Sequence, residues 1–124
     1  MSPSFKAAVE SRDLQAIVGT LAPDVVFRSP AVYKPYKGRD AVGALLAAVS
    51  TVFEDFRYTT QIDDGEREVL IFEARVGDRE VQGADILRFG DEGLVAELTV
   101  MIRPMSGLLA LADAMQERLS AGSF

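Results

Sequence analysis

Two very short joints constrain this chain more than anything else in it. Gly77-Asp78 links EVLIFEARV (68–76) to REVQGADILRF (79–89), and Gly90-Asp91-Glu92-Gly93 links that run to LVAELTVMIR (94–103). All three runs are rich in branched and aromatic residues, which suit a pleated, half-buried surface. A parallel connection needs a crossover, so joints this short leave only consecutive antiparallel hairpins. FRYTTQI (56–62), closed by Asp63-Asp64-Gly65, adds a fourth strand ahead of them.

Helical periodicity fills most of the remainder. From about Pro3 to Leu21, Phe5, Ala8 and Val9 make one apolar patch, and Leu14, Ile17, Val18 and Leu21 make a second. The polar Ser11-Arg12-Asp13 between them predicts a break, with Ser11 or Asp13 capping the second helix and Pro23 ending it. VVF (25–27) reads as a short strand closed by Ser29-Pro30, and PAVYKPYKG (30–38) as a loop. Between Gly38 and Phe53, Val42, Leu45, Leu46, Val49, Val52 and Phe53 form a helical stripe. SGLLALADAMQERL (106–119) is a last helix with Ser106 as its cap. With no linker or repeat, this order predicts one α+β domain over residues 1–124. Its expected form is a curved antiparallel sheet wrapped over N-terminal helices, with a cavity between the layers.

Composition then removes whole classes of function. The chain contains no cysteine and no histidine, which excludes thiol nucleophiles, thiolate metal sites and histidine-based triads or zinc centres. Its net charge of -6 argues against binding a phosphate backbone. No stretch is long or apolar enough to span a bilayer, and MSPSFKAAVE lacks the apolar core of a secretion signal, so a cytoplasmic location is expected. Chemistry is left to Asp, Glu, Tyr, Lys, Arg, Ser and Thr, and no metal or cofactor is expected.

One acid stands out. Alternation along REVQGADILRF puts Val81, Gly83, Asp85, Leu87 and Phe89 on one face, so Asp85 falls on the more apolar side. Desolvation there would raise its pKa, holding it as a hydrogen-bond donor or poising it for acid/base work. Tyr58 shares a strand face with Phe56, Thr60 and Ile62; Tyr33 and Tyr36 lie on the proline-rich loop. Arg28 alternates away from Phe27 and Ser29 and reads as an outer-face charge. Val69 and Ile71, opposite Leu70 and Phe72, make the sheet apolar on both faces, which implies a second copy against the outer one.

SRDLQAIVGTLAPDVVFRSP, then KPYKGRDAV, then DILRFGDEGLVAELTV resemble, in order and over nearly the whole chain, the nuclear transport factor 2-like superfamily and within it the SnoaL-like polyketide cyclase group. The resemblance implies a cone of the cystatin-like roll type, an apolar pocket between sheet and helices, and a homodimer through the outer sheet face. It places Phe5, Phe27, Ser29, Tyr58, Leu70, Phe72, Leu87, Leu98, Val100 and Ile102 on the pocket side with Asp85. Glu97, Thr99, Met101 and Arg103 then fall on the outer face.

Related enzymes supply a test by position. Ketosteroid isomerases need a carboxylate base at the end of the first strand, a phenol on the first helix and a protonated Asp on a later strand. These positions fall on Ser29, Phe5 and Asp85, and only the last matches. Epoxide hydrolases of this fold use an Arg two residues before the strand Asp and a second Asp on the next strand; here those are Gly83 and, as the nearest acid, Glu97. Two functions remain as expectations. One is a cofactor-independent isomerase, cyclase or hydrolase acting at Asp85 on a small apolar or carbonyl-bearing substrate. The other is a non-catalytic binding protein for a hydrophobic metabolite.

Overall fold

A computed structural model describes residues 4–121; the expected helix start at Pro3 lies outside them. Helix α1 (Phe5–Ser11) begins where the Ser4 side chain accepts the Ala7 N–H, and it stops at Arg12, which turns into the left-handed region at φ 60°. Asp13 caps α2 (Leu14–Gly19) by accepting from Gln15 and Ala16. Of the two candidates for that cap, Asp13 is the one used.

Strand β1 (Leu21–Arg28) is longer than expected and runs through Pro23, which does not end α2. Pro23 lies where the β1–β6 register shifts, between Leu21 and Val26, so its missing N–H costs little. Within the loop, Tyr36–Lys37 form β2 against Val26 and Phe27. Helix α3 (Arg39–Ser50) is followed by β3 (Glu54–Asp63), β4 (Arg67–Val76), β5 (Arg79–Phe89) and β6 (Val95–Arg103). The last helix, α4 (Met105–Ala121), starts one residue after Pro104, so Ser106 is inside it rather than its cap.

The six strands form one sheet in the order β2-β1-β6-β5-β4-β3. The hairpins β3–β4, β4–β5 and β5–β6 are antiparallel as their joints require. The exception to an all-antiparallel sheet is β1, which lies parallel to β6. The long chain between those two strands permits it. Register shifts interrupt the β1–β6, β3–β4 and β5–β6 ladders; such bulges bend strands and curl the sheet.

One bulge changes a face assignment. Tyr58 pairs with Phe72 but Thr60 pairs with Ile71, leaving Thr59 as the extra residue. Beyond it the alternation inverts: Gln61 pairs with inward Leu70, while Ile62 pairs with outward Val69 and is 60% exposed. Thr60 and Ile62 do not share the face of Tyr58.

The inner face packs in two apolar clusters. Leu21, Val25, Leu70, Leu87, Val95 and Leu98 meet Phe5 and Ala8 of α1 and Val42 and Leu45 of α3. Phe72, Ala74, Val76 and Val81 meet Val52 and Leu111. Tyr58, Val100 and Met115 touch both clusters, at the seam between them.

Candidate active site

A cavity of about 1300 Å³ opens at that seam, between the sheet and all four helices. Its wall includes Phe5, Phe27, Ser29, Tyr58, Phe72, Asp85, Leu98, Val100 and Ile102, all expected there. Leu70 and Leu87, expected beside them, do not line it. Both are fully buried in the apolar cluster that also contains Phe5, Val42 and Leu98, which closes them off from the open space.

Sequence reasoning missed much of the opposite wall. Leu45, Leu46 and Val49 of α3, Phe53 after it, and Leu111 and Met115 of α4 complete the enclosure. Their helical stripes were legible, but nothing in a stripe tells whether it seals a core or borders a void. Tyr36 also lines the cavity, with its ring 6.3 Å from that of Phe27, whereas Tyr33 is 99% exposed.

Asp85 sits deep in this wall. Its β5 position faces Leu70 on one side and Val100 on the other, and only 8% of the residue is exposed. Tyr58 Oη donates a hydrogen bond to Asp85 Oδ2 at 3.1 Å. Burial pushes the Asp85 pKa up from 3.8 to about 7, with the phenol hydrogen bond pulling the other way. The Tyr58 phenol is pushed above its ordinary value by burial first and by the negative charge of Asp85 second, so it stays protonated. The pair thus holds one strongly bound proton on Tyr58 and one exchangeable proton on Asp85 close to neutrality.

A second buried acid was legible but overlooked. Glu68 alternates with Leu70 and Phe72 onto the inner face and is 4% exposed. Gln61, turned inward by the bulge at Thr59, donates to its carboxylate. Neither residue lines the cavity.

Other candidate positions have local occupations. Ser29 Oγ accepts the N–H groups of Ala31 at 3.0 Å and Val32 at 3.2 Å, closing the turn after β1. Phe5 lines the cavity without a hydroxyl to offer. Glu97 is on the outer face, where Arg88 reaches it at 2.8 Å and Arg28 at 3.5 Å. The Arg88 hydrogen bond is the main reason its carboxyl is held below the ordinary range. An acid so placed cannot work with Asp85, whose neighbour on β6 is Val100. Among the described residues, no three acids stand together in a way that could hold a metal ion.

A family model for the SnoaL-like domain matches residues 4–98. The chain belongs to the SnoaL-like family. SnoaL-like proteins have the nuclear transport factor 2-like fold described above, and solved structures agree. A steroid delta-isomerase from Pseudomonas aeruginosa is 48% identical, with a TM-score of 0.88 over 93% of this chain and 85% of its own. An uncharacterised protein with a cystatin-like fold from Silicibacter pomeroyi is 34% identical, with a TM-score of 0.92 over 99% and 89%. A putative ketosteroid isomerase from Kribbella flavida, at 20% identity and a TM-score of 0.69 over 82% of this chain and 73% of its own, shares the fold. No curated protein matches the chain by sequence.

Proposed function

We propose that this SnoaL-like domain is an enzyme that takes a small, largely apolar, carbonyl-bearing molecule into the cavity and moves a proton on it through Asp85. The observation that carries this reading is the Tyr58–Asp85 hydrogen bond at 3.1 Å on the wall of an apolar cavity. Ionised, Asp85 accepts a proton from the carbon beside a carbonyl; the carboxylic acid so formed hydrogen-bonds the resulting enolate and returns the same proton to another of its atoms. A pKa of about 7 makes both forms available near neutrality, as acid/base work requires. Tyr58, which keeps its own proton, orients the carboxyl and stabilises its charged form. All of these steps use side chains of this chain alone.

The steroid delta-isomerase among the similar structures supports proton-transfer chemistry in a cavity of this kind. Steroid isomerisation itself finds less support here, because the expected base and phenol positions hold Ser29, engaged in its turn, and Phe5. That same engagement of Ser29 favours the second reading, a binding protein without turnover in which Asp85 fixes the one polar group of a hydrophobic metabolite.

The experiment begins with native extraction and mass spectrometry of whatever the purified protein carries, followed by turnover assays on that compound and its carbonyl analogues. Asp85→Asn should abolish turnover and weaken binding at least tenfold. Unchanged binding and turnover in that variant would sink both readings; lost binding with no turnover in the parent protein selects the second.

The outer sheet face supports a homodimer. Ile62 and Met101 are 60% and 59% exposed there, beside half-buried Val69, Ile71 and Ile86. Met101→Lys should convert a dimer to a monomer in sizing experiments at micromolar concentration. A parent protein that is already monomeric under those conditions refutes this part.

A further inference from the structure

Asp85 and Tyr58 stand on strands that do not touch, because β4 lies between β5 and β3. Tyr58 is level with Phe72 in the β3–β4 register, while Asp85 is level with Leu70 in the β4–β5 register. The phenol must therefore lean diagonally across β4 to reach the carboxylate. A ring free to choose among rotamers would lose much of the value of one hydrogen bond to side-chain entropy. Something has to hold it over.

Three neighbours form a continuous support. The ring of Phe56 meets that of Tyr58 at 85° with centroids 5.0 Å apart, and it stacks on Phe72 at 4.8 Å and 27°. Phe72 in turn rests against the backbone of β5 at Gly83, its partner in the register. A Cβ at Gly83 would come within 2.3 Å of Phe72 Cζ and 2.9 Å of the Met101 carbonyl oxygen. Glycine is the residue that lets the ring settle there. The support also starts and ends on β5, since Gly83 and Asp85 are neighbouring inward positions of that strand.

We propose that Gly83, Phe72 and Phe56 are positioning residues that fix the Tyr58 phenol on Asp85. Gly83 seats Phe72, Phe72 seats Phe56, and the ring of Phe56, nearly perpendicular to that of Tyr58, closes off the space into which Tyr58 would otherwise swing. The inference rests on Asp85 and Tyr58 being the polar end of the pocket, but it concerns how that end is held rather than what it binds. The phenol hydrogen bond opposes the effect of burial on Asp85, so a misplaced Tyr58 leaves its mark on the Asp85 titration.

The test follows the Asp85 carboxyl carbon by NMR across pH in ligand-free protein, so it can fail while the proposed function stands, or the reverse. Tyr58→Phe should move the titration midpoint upward. Phe56→Leu should move it in the same direction and no further, and should add nothing in the Tyr58→Phe background. Phe56→Tyr, which keeps the ring, should restore the parent midpoint. Val76→Ala loosens the same cluster away from the cavity wall and should lower the unfolding temperature with the midpoint unmoved. If Phe56→Leu does not fold, Phe56→Met is read in the same way. A midpoint indifferent to loss of the Phe56 ring, or one shifted equally with and without the Tyr58 hydroxyl, overturns the inference.

Discussion

Leu87 and Asp85 are consecutive inward positions on β5, yet they live in different surroundings. Leu87 is fully buried in the apolar cluster that also holds Phe5, Val42 and Leu98; Asp85, one position along the same face, borders the cavity. Facing inward is a property of the strand, whereas facing a void depends on what packs against that stretch of it. The pocket boundary falls between two residues that alternation treats as equivalent, and only one of them can do chemistry.

The largest test of that contrast is Leu87→Ala, which should cost about 3 kcal/mol in urea unfolding because a closed core cannot collapse around the loss. Ile102→Ala, on the open wall, should cost about 1 kcal/mol, since part of its surface already faces the cavity. Equal costs would mean that no such boundary exists.

Asp85→Asn sharpens the other side. The folded protein holds the Asp85 proton up to about pH 7, while the unfolded chain releases it near 3.8. The stability this group contributes is complete below about pH 4 and is lost as pH rises through 7. The loss is on the order of 4 kcal/mol by linkage. An amide carries no such loss, so the variant should gain on the parent in denaturant midpoint as pH climbs from 4 to 8. A constant difference across that range would show that Asp85 titrates normally.

Gly83→Ala should cost about 2 kcal/mol by thermal unfolding, because the new methyl displaces Phe72 against a filled sheet. The smallest effect belongs to Ser29→Ala. It removes two turn hydrogen bonds at an exposed site, should cost under about 1 kcal/mol, and should leave ligand binding as it was.

These residues also mark how far the sequence alone could be read. Strands β4 to β6 and the inward side of Asp85 followed from two joints and strict alternation. The open side of the enclosure did not, since Leu46 and Met115 read as ordinary core-facing residues until a second layer is placed opposite them. Tyr58 was visible as a phenol on the right strand, but its bond to Asp85 spans an intervening strand and has no signature in sequence spacing. Leu70 and Leu87 were assigned to the pocket because the whole face was treated as one environment. The two-residue β2 was hidden by Pro35, and the full length of β1 by Pro23, both of which read as breakers when strand edges are unknown.

The bulge at Thr59 shows that residue count, not only residue identity, decides what the inside of this sheet is made of. Because one residue is looped out of pairing, the β3 positions beyond Tyr58 present Gln61 to the interior and leave Ile62 outside. Deleting Thr59 would leave those two where they are, because Thr60, Gln61 and Ile62 already pair with Ile71, Leu70 and Val69 in unbroken order; drawing Thr59 into the ladder would exchange them, trading the amide that holds Glu68 for a hydrocarbon. In a sheet of this kind, whether an extra residue is looped out or paired acts as a polarity switch for everything downstream of it on the strand. The bulge therefore sets which side chain meets Glu68 while leaving Tyr58 and the cavity wall before it unchanged.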